Sequence, residues 1–245
     1  MKYSMSPVGA AMSGRAYLKL APANAVASLN VVREQTEAPQ IRATPGSIRT
    51  TTMSFATIHE HGDLLARYLR ARRKIFIDRL HWNVAEADGM EFDQYDTPFC
   101  RWVILHEFGE VVAGVRLLPT TAQCGVYTYM LRDAQNGLLE GIPTDALFLP
   151  APVDPLIWEA SRFFISDAIP AARRGTVQRQ LFQSMKLAAK ENGAVSMIGI
   201  VPAVWSRWAR RLDADATQIG AKFAIDGTWS QSVQFCVNGL PMKNG

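Results

Sequence analysis

The stretch Trp158-Glu159-Ala160-Ser161-Arg162-Phe163-Phe164-Ile165 places two opposite charges inside an otherwise apolar run. Its aromatic and aliphatic content predicts a buried strand. Side chains alternate between the two faces of a regular strand, so Glu159 and Arg162 should face opposite sides of a sheet. The two charges can share one site only if a β-bulge or a local twist interrupts the strand.

Patterns on both sides of this strand predict an α/β fold. Upstream, residues 101–108 and 110–118 are β-rich runs that meet at Gly109, which is typical of a hairpin. Downstream, residues 176–192 have helical spacing, with Gly193 just after the last turn. The other predicted elements are a strand at 55–58, a helix at 62–80, a loop at 86–98, an irregular connection at 141–155, a strand at 195–201, a helix at 203–212 and a strand at 233–237. This order predicts a sheet flanked by helices.

Charge is distributed unevenly along the 245 residues. The chain has 26 Lys and Arg against 22 Asp and Glu, but residues 1–52 hold six basic and two acidic side chains, so residues 53–245 are neutral. A neutral body argues against a nucleic-acid partner. Residues 1–52 also show no sustained hydrophobic period, and the patterned chain starts near Met53. We therefore expect a flexible, dispensable extension over 1–52 and one domain over 53–245, with Met53 as an alternative translation start.

Cysteine, histidine and apolar spacing argue against several classes of protein. The three cysteines are far apart and include no Cys-x-x-Cys, which disfavours a disulfide framework and a zinc site. The cluster His59-Glu60-His61 lacks an evident third ligand, so we expect a helix start there and no metal site. No apolar run approaches the roughly 18 residues of a membrane span. We expect a cytoplasmic protein without stable membrane association.

The helix predicted over 62–80 carries an arginine where its core-facing stripe should be apolar. Arg72 falls between Leu69 and Phe76, in steps of three and four residues along that stripe. A buried and unpaired guanidinium costs several kcal/mol, so Arg72 needs an acidic partner or an anionic ligand. The alternative is an arginine that extends to solvent at the edge of the core.

The segment Glu91-Phe92-Asp93-Gln94-Tyr95-Asp96 is the candidate partner of Arg72. Three carboxylates in six residues usually form a solvated loop, but the interleaved aromatic residues suggest a loop folded back onto the body. Arg116 is likewise embedded in an apolar run, residues 111–119. With Arg162, these residues predict a buried ion network, which is typical of functional sites but also occurs as a purely structural feature.

Together these segments resemble the acyl-homoserine-lactone synthases, the autoinducer synthases of bacterial quorum sensing. The resemblance covers roughly residues 53–240 and rests on four blocks in the family's order. The blocks are Arg72-x3-Phe76-x5-Trp82, residues 89–96 (GMEFDQYD), residues 115–120 (VRLLPT) and residues 158–163 (WEASRF). It implies a GNAT-like acyltransferase fold, with a mixed central sheet flanked by helices and a cleft between splayed strands.

The resemblance also implies a reaction. The family joins S-adenosylmethionine to an acyl thioester, carried by acyl carrier protein or coenzyme A, and releases an N-acyl-L-homoserine lactone and methylthioadenosine. S-adenosylmethionine is a substrate, so no cofactor is expected. By resemblance the catalytic residues are Glu159 as the base, with Arg162, Asp93 and Asp96. The substrate-binding residues are Arg72, Phe76, Trp82, Arg116, Phe163 and Gly199.

Two departures bear on the acyl donor. Acetyl-CoA-using relatives of this fold carry Q/R-x-x-G-x-G/A at a helix start, where backbone N–H groups hold the pyrophosphate. Residues 172–177 (ARRGTV) lack the leading Gln or Arg and the final Gly or Ala, which favours a carrier-protein donor. Gly199 stands where relatives that prefer 3-oxo chains tend to have Thr or Ser, so we expect an acyl chain without a 3-oxo group.

Two other functions stay open at this point. One is a GNAT-type N-acetyltransferase that acts on another amine, although residues 172–177 disfavour an intact pyrophosphate cradle. The other is a non-catalytic ligand-binding or DNA-binding regulator that uses the basic face of residues 67–74, against which the neutral body argues. Release of methylthioadenosine with an acyl lactone distinguishes a lactone synthase from both.

Overall fold

The computed structural model describes residues 47–225 and 227–237. In chain order the elements are β1 (Arg49–Met53), a 3-10 turn (Ile58–His61), α1 (Leu64–Arg73), a π-helical turn (Lys74–Arg79), β2 (Glu86–Ala87), β3 (Met90–Glu91), β4 (Arg101–Glu107), β5 (Glu110–Pro119), α2 (Met130–Gln135), β6 (Ile157–Ile165), α3 (Ala171–Glu191), β7 (Ser196–Pro202), α4 (Trp205–Leu212), β8 (Ala216–Ile225) and β9 (Thr228–Cys236).

Seven strands form one mixed sheet in the order β1-β4-β5-β6-β7-β9-β8. Every neighbouring pair is antiparallel except β6 and β7, which are parallel. The residues of α1 pack in one hydrophobic cluster with Trp102 and Ile104, and those of α3 pack in a second with Val103 and Val115. Because side chains alternate along each strand, α1 and α3 cover opposite faces of the sheet. The predicted α/β class is therefore confirmed.

Two glycines shape the connections as the sequence predicts. Glu107 pairs with Glu110, so Phe108 and Gly109 form a two-residue hairpin loop, and both have positive φ (51° and 82°), as a type I′ turn requires. Gly193 follows α3 with φ 86°, and its N–H donates to the carbonyl of Lys190. That bond belongs to a Schellman motif, which satisfies carbonyls at the end of the helix.

Other predicted elements differ from the structure. Residues 55–58 are not a strand, because the chain turns into the Ile58–His61 helical turn after β1. α3 begins five residues before its predicted start, at Ala171. The sequence patterns missed α2, which is only six residues long, and β8, whose pairing with β9 is interrupted between Gln218 and Lys222. The predicted loop at 86–98 contains the short β2–β3 pair.

The last residues of the proposed extension form a strand of the sheet. Residues 1–46 of the proposed extension lie outside the described residues, but residues 49–52 belong to β1. This strand pairs with β4 over five positions, and Met53 is completely buried. The polar run Thr50-Thr51-Thr52 hides the strand from a hydrophobicity pattern because it lies at the edge of the sheet.

We predict that the position of a truncation decides its effect. A chain lacking residues 1–46 should keep its thermal unfolding midpoint and its activity within a few-fold, as proposed for the extension. A chain lacking residues 1–53 should unfold at a clearly lower temperature, because β4 loses a paired strand and the core loses Met53. Equal midpoints for the two truncations, measured by circular dichroism, would contradict a boundary before residue 47.

Candidate active site

Arg72 is completely buried and lies among carboxylates of the loop predicted to be its partner. From α1 its Nε donates to Glu91 Oε2, and its two terminal nitrogens donate to the Asp96 oxygens at 2.7 and 3.1 Å. Asp93 Oδ2 is 4.0 Å from Arg72 Nη2. The cost of burying this guanidinium is offset by charge-assisted hydrogen bonds on each of its nitrogens. The hypothesis of a solvent-reaching arginine is therefore wrong.

Arg116 and Arg162 bind the same loop from the sheet. Arg116, on β5, is completely buried and donates to both oxygens of Asp93, with Asp96 Oδ2 at 3.0 Å from Nη1. Arg162, on β6, donates to Glu91 at 3.0 Å and to Asp93 at 2.9 Å. Three guanidinium groups thus face three carboxylates, and the charges within this network balance.

A β-bulge brings Arg162 to this face of the sheet. Gly114 pairs with Phe164 and Arg116 pairs with Ser161, so two residues of β6 oppose one residue of β5. Arg162 has φ 56°, a left-handed conformation that costs a non-glycine residue about 1–3 kcal/mol. Its ion pairs with the loop offset that cost. The irregularity that the opposite charges in this strand required is confirmed.

The arginines keep the loop aspartates ionised. Burial by itself would raise the pKa of Asp93, but Arg116 and Arg162 outweigh it and hold that pKa below its usual range. Burial opposes ionisation of Asp96 too, and there Arg116 and Arg72 lower the pKa. These two carboxylates therefore stay charged at neutral pH and are poor proton acceptors.

Glu159 lies on the same sheet face but outside this ion network. It is completely buried, and its two oxygens accept the backbone N–H groups of Met130 (3.0 Å) and Leu131 (2.8 Å) at the start of α2. Burial raises the pKa of Glu159 to about 7, although those N–H groups and Arg116 lower it and Asp133 adds to the rise. A carboxyl with this pKa exchanges a proton near neutral pH.

Phe76 and Trp82 stack on each other beside Arg162. Their ring centroids are 4.9 Å apart, and the guanidinium carbon of Arg162 lies 5.4 Å from the Phe76 ring. Phe76 sits in the π-helical turn that follows α1, and Trp82 donates its backbone N–H to the Phe76 carbonyl at 2.9 Å. Phe163 differs from these two, since its side chain is more than a third exposed and no ring contact is recorded for it among the described residues.

The two parallel strands separate beside Glu159. β6 and β7 pair only at residues 157–159 and 196–198, and then each strand continues without pairing to the other. Gly199 pairs with β9 and is the first residue of β7 that is not paired with β6. A Cβ there would lie 2.6 Å from the carbonyl oxygen of Ala160. This position therefore excludes any side chain, and the end of β6–β7 pairing agrees with the splayed strands that the resemblance implies.

The sequence reasoning missed functional candidates at both ends of the site. Glu91 is completely buried and joins Arg72 to Arg162, yet only Asp93 and Asp96 of its loop were assigned a role. The signal was its inclusion among three closely spaced carboxylates. Tyr95 and Asp133 join the loop to α2, and no sequence pattern pointed to that contact.

The described residues show no group of three or more His, Cys, Asp or Glu that could hold a metal ion. The pair His59 and His61 falls in the Ile58–His61 turn, near the start of α1 as expected. No helix within residues 47–225 and 227–237 is long and apolar enough to cross a membrane.

Comparison with solved structures defines the class of fold. The structure of a CoA-dependent acyl-homoserine lactone synthase, BjaI, with SAM and isopentyl-CoA superposes with a TM-score of 0.62 at 24% identity, covering 78% of this chain and 84% of that chain. This chain therefore has the GNAT-like acyltransferase fold.

Comparison with known sequences defines the family. A profile of the autoinducer synthases matches residues 56–237. An acyl-homoserine-lactone synthase of Ralstonia solanacearum is 33% identical over 169 residues, which are 66% of this chain and 76% of that protein. The isovaleryl-homoserine lactone synthase of Bradyrhizobium diazoefficiens is 27% identical over 175 residues, 71% and 73% of the two chains. The chain belongs to the autoinducer synthase family.

We predict that Arg72 is essential for stability as well as for the site. Arg72→Met should lower the free energy of unfolding by about 3–5 kcal/mol, because it leaves Glu91 and Asp96 buried with fewer counter-charges. Arg70→Met, on the exposed side of the same helix, should change it by less than about 0.5 kcal/mol. Urea unfolding measures both, and equal effects of the two substitutions would contradict a buried network.

Proposed function

We propose that this chain makes an N-acyl-L-homoserine lactone from S-adenosylmethionine and an acyl thioester, with release of methylthioadenosine. Family membership supports the reaction class. The observation that carries the proposal is Glu159, a buried carboxyl with a pKa of about 7 at the point where β6 and β7 separate. An acyl transfer to an amine needs a group of this kind, which accepts a proton at neutral pH.

The proposed reaction has two bond-forming steps. The α-amine of S-adenosylmethionine attacks the thioester carbonyl, so that an amide forms, the thiol leaves and the amine loses a proton. The substrate carboxylate then attacks its own γ-carbon, which closes the lactone ring and displaces methylthioadenosine. The protein has to accept the amine proton and keep the carboxylate, the amine and the cationic sulfonium in place.

Glu159 is the proposed base, acting directly or through one water. Its two oxygens already accept N–H groups from α2, so the carboxylate has a fixed orientation, and each oxygen keeps the capacity to accept one further hydrogen bond. Asp93 and Asp96 are unsuited to this role because their pKa values are held below the usual range. The carboxyls of the site thus divide into one proton acceptor and a set of permanent charges.

We propose that some residues of the ion network hold the acidic loop in place and that others contact the substrate. Arg72, Arg116, Asp96 and Glu91 have no exposed side-chain surface, so they hold the loop in place. Arg162 and Asp93 keep 9% and 7% of their side chains exposed. Arg162 also borders the Phe76–Trp82 stack. We place the substrate carboxylate near Arg162 and its adenosyl part against the stacked rings.

The acyl donor is proposed to be a thioester of acyl carrier protein or coenzyme A. The start of α3, where relatives of this fold hold a pyrophosphate, has no capping side chain, and its arginines are engaged with the protein. Arg173 donates to Glu107 at 3.0 and 3.1 Å, and Arg174 donates to the carbonyls of Ile169 and Asp167 at 3.1 and 3.3 Å. These contacts favour the carrier protein, and donors of both kinds belong in the test.

The direct test is a product assay. The purified chain is mixed with S-adenosylmethionine and a panel of acyl carrier protein and coenzyme A thioesters, and products are identified by mass spectrometry. A lactone synthase gives equal amounts of acyl-homoserine lactone and methylthioadenosine. An acylated amine without methylthioadenosine would instead identify an N-acyltransferase, and no turnover with any donor would count against both.

Removal of the carboxyl of Glu159 should abolish most activity. Glu159→Gln should lower turnover about 10²–10⁴-fold, the range for loss of a general base. In the wild type, turnover should fall as the pH drops below about 7, because protonation raises the share of Glu159 that cannot accept a proton. The exposed Glu140→Gln is the matched control and should behave as the wild type. Wild-type turnover of Glu159→Gln with the same pH dependence would exclude the base role.

The acyl chain should lack a 3-oxo group. Gly199 has no side chain that could donate to the extra carbonyl, and the prediction rests on this position. The hydroxyl oxygens of Ser161 and Ser196 accept from Arg116 (3.1 Å) and Gln234 (2.9 Å). A buried 3-oxo oxygen without a partner costs about 1–3 kcal/mol. Competition between equal amounts of matched 3-oxo and unsubstituted donors should give mainly the unsubstituted lactone, and an excess of 3-oxo lactone would contradict this.

A further inference from the structure

Asp133, on α2, is a buried carboxylate outside the ion network, and the reaction outlined above does not use it. Its side chain has no exposed surface, and none of the ion pairs in residues 47–225 and 227–237 includes it. It accepts hydrogen bonds from the Thr128 N–H (3.0 and 3.1 Å), the Thr128 hydroxyl (2.5 Å) and the Tyr95 hydroxyl (3.0 Å). Burial of a charge that only neutral donors hold costs free energy, so the position of Asp133 needs an explanation.

One set of these bonds fixes the start of α2. Tyr129 precedes the helix and provides no capping side chain, so the first turn lacks the usual cap. Asp133 reaches back to the N–H and hydroxyl of Thr128, in the manner of the acidic residue of a capping box. The N–H groups two and three residues further along the chain, those of Met130 and Leu131, are the two that hold Glu159. Asp133 therefore sets the position of the donors to Glu159.

The other bond connects α2 to the acidic loop. The backbone N–H of Tyr95 donates to Asp93 Oδ1 at 2.9 Å, and its ring lies 5.5 Å from the guanidinium carbon of Arg116. Its hydroxyl then donates to Asp133. Tyr95 and Asp133 thus form a continuous hydrogen-bonded link between the ion network and the helix that holds Glu159.

We infer that Asp133 is a positioning residue for acyl transfer, which fixes the Glu159 carboxylate relative to the arginine–carboxylate network through α2 and Tyr95. This inference rests on the proposed role of Glu159 as the base. Asp133 acts through Glu159 and does not touch the reacting atoms. A misplacement of reacting groups by about 1 Å can cost 10²-fold in rate, so a side chain that holds both halves of a site has a direct effect on turnover.

The charge of Asp133 gives the inference a second readout. Glu159 is faced by Arg116 from β5 and by Asp133 from α2, and the phenols of Tyr95 and Tyr129 lie close enough for Glu159 to raise their pKa. Arg116 lowers the pKa of Glu159 and Asp133 raises it. Loss of the Asp133 charge should therefore shift the pH dependence of turnover toward lower pH.

Asp133→Asn is the central test, since it keeps the shape of the side chain and removes its charge. We expect turnover at its pH plateau to fall about 10-fold or more, with the KM for S-adenosylmethionine within about 2-fold, and the acid limb of the turnover profile to move to lower pH. Asp63→Asn, which removes an exposed carboxylate at the start of α1, is the matched control and should change none of these. Thermal unfolding establishes the folded fraction of each variant.

A second variant tests the inference if Asp133→Asn folds poorly. The double change Tyr95→Phe and Thr128→Val keeps the carboxylate and removes its two hydroxyl donors, and it should lower turnover about fivefold or more without a shift of the acid limb to lower pH. Wild-type turnover in the folded double variant would overturn the inference. So would a folded Asp133→Asn variant with an unmoved acid limb.

Glu159→Gln in the same series separates this inference from the proposed function. If Glu159→Gln keeps the acid limb of the wild type, the base role of Glu159 fails and the inference about Asp133 falls with it. If Glu159→Gln loses that limb while Asp133→Asn leaves it unmoved, the inference alone is overturned.

Discussion

The burial of three guanidinium groups under one sheet face is the constraint on which the site depends. An arginine without a partner in the interior is strongly destabilising, so Arg72, Arg116 and Arg162 require an equal number of buried carboxylates. The loop that carries Glu91, Asp93 and Asp96 supplies them, and this requirement keeps the loop on the sheet. The left-handed conformation of Arg162 has the same origin, because a regular strand would direct its charge to the opposite face.

The environment, and not the residue type, separates the roles of the carboxyls. Asp93 is surrounded by guanidinium groups and stays ionised. Glu159 is hydrogen-bonded by neutral N–H donors, and its burial raises its pKa to about 7 although Arg116 lowers it. A site that combines permanent charges with one titrating group can bind a charged substrate and move a proton at the same pH. The pairing of the parallel strands β6 and β7 ends beside Glu159, and the missing side chain of Gly199 leaves room for the Ala160 carbonyl next to it.

Much of this arrangement could be predicted from the sequence, for identifiable physical reasons. A buried arginine without a partner is destabilising, so Arg72 on the apolar stripe of its helix predicted buried carboxylate partners. Opposite charges in one buried strand face opposite sides, so Glu159 and Arg162 predicted a bulge. Glu91 lies in the segment predicted to pair with Arg72, but its bond to Arg162 and the contacts of Asp133 could not be predicted. Both depend on how a loop and a six-residue helix return to the sheet. β1 was hidden for a different reason, since its threonines lie on an edge strand with little apolar pattern.

The structure of the complex with S-adenosylmethionine is the most direct test of the central claim, that Glu159 receives the proton of the substrate amine. The amine nitrogen should lie within about 2.6–3.2 Å of a Glu159 oxygen, or be joined to it through one water, with the substrate carboxylate beside Arg162. An amine that points away from β6, with neither a direct nor a water-mediated link to Glu159, would contradict the claim.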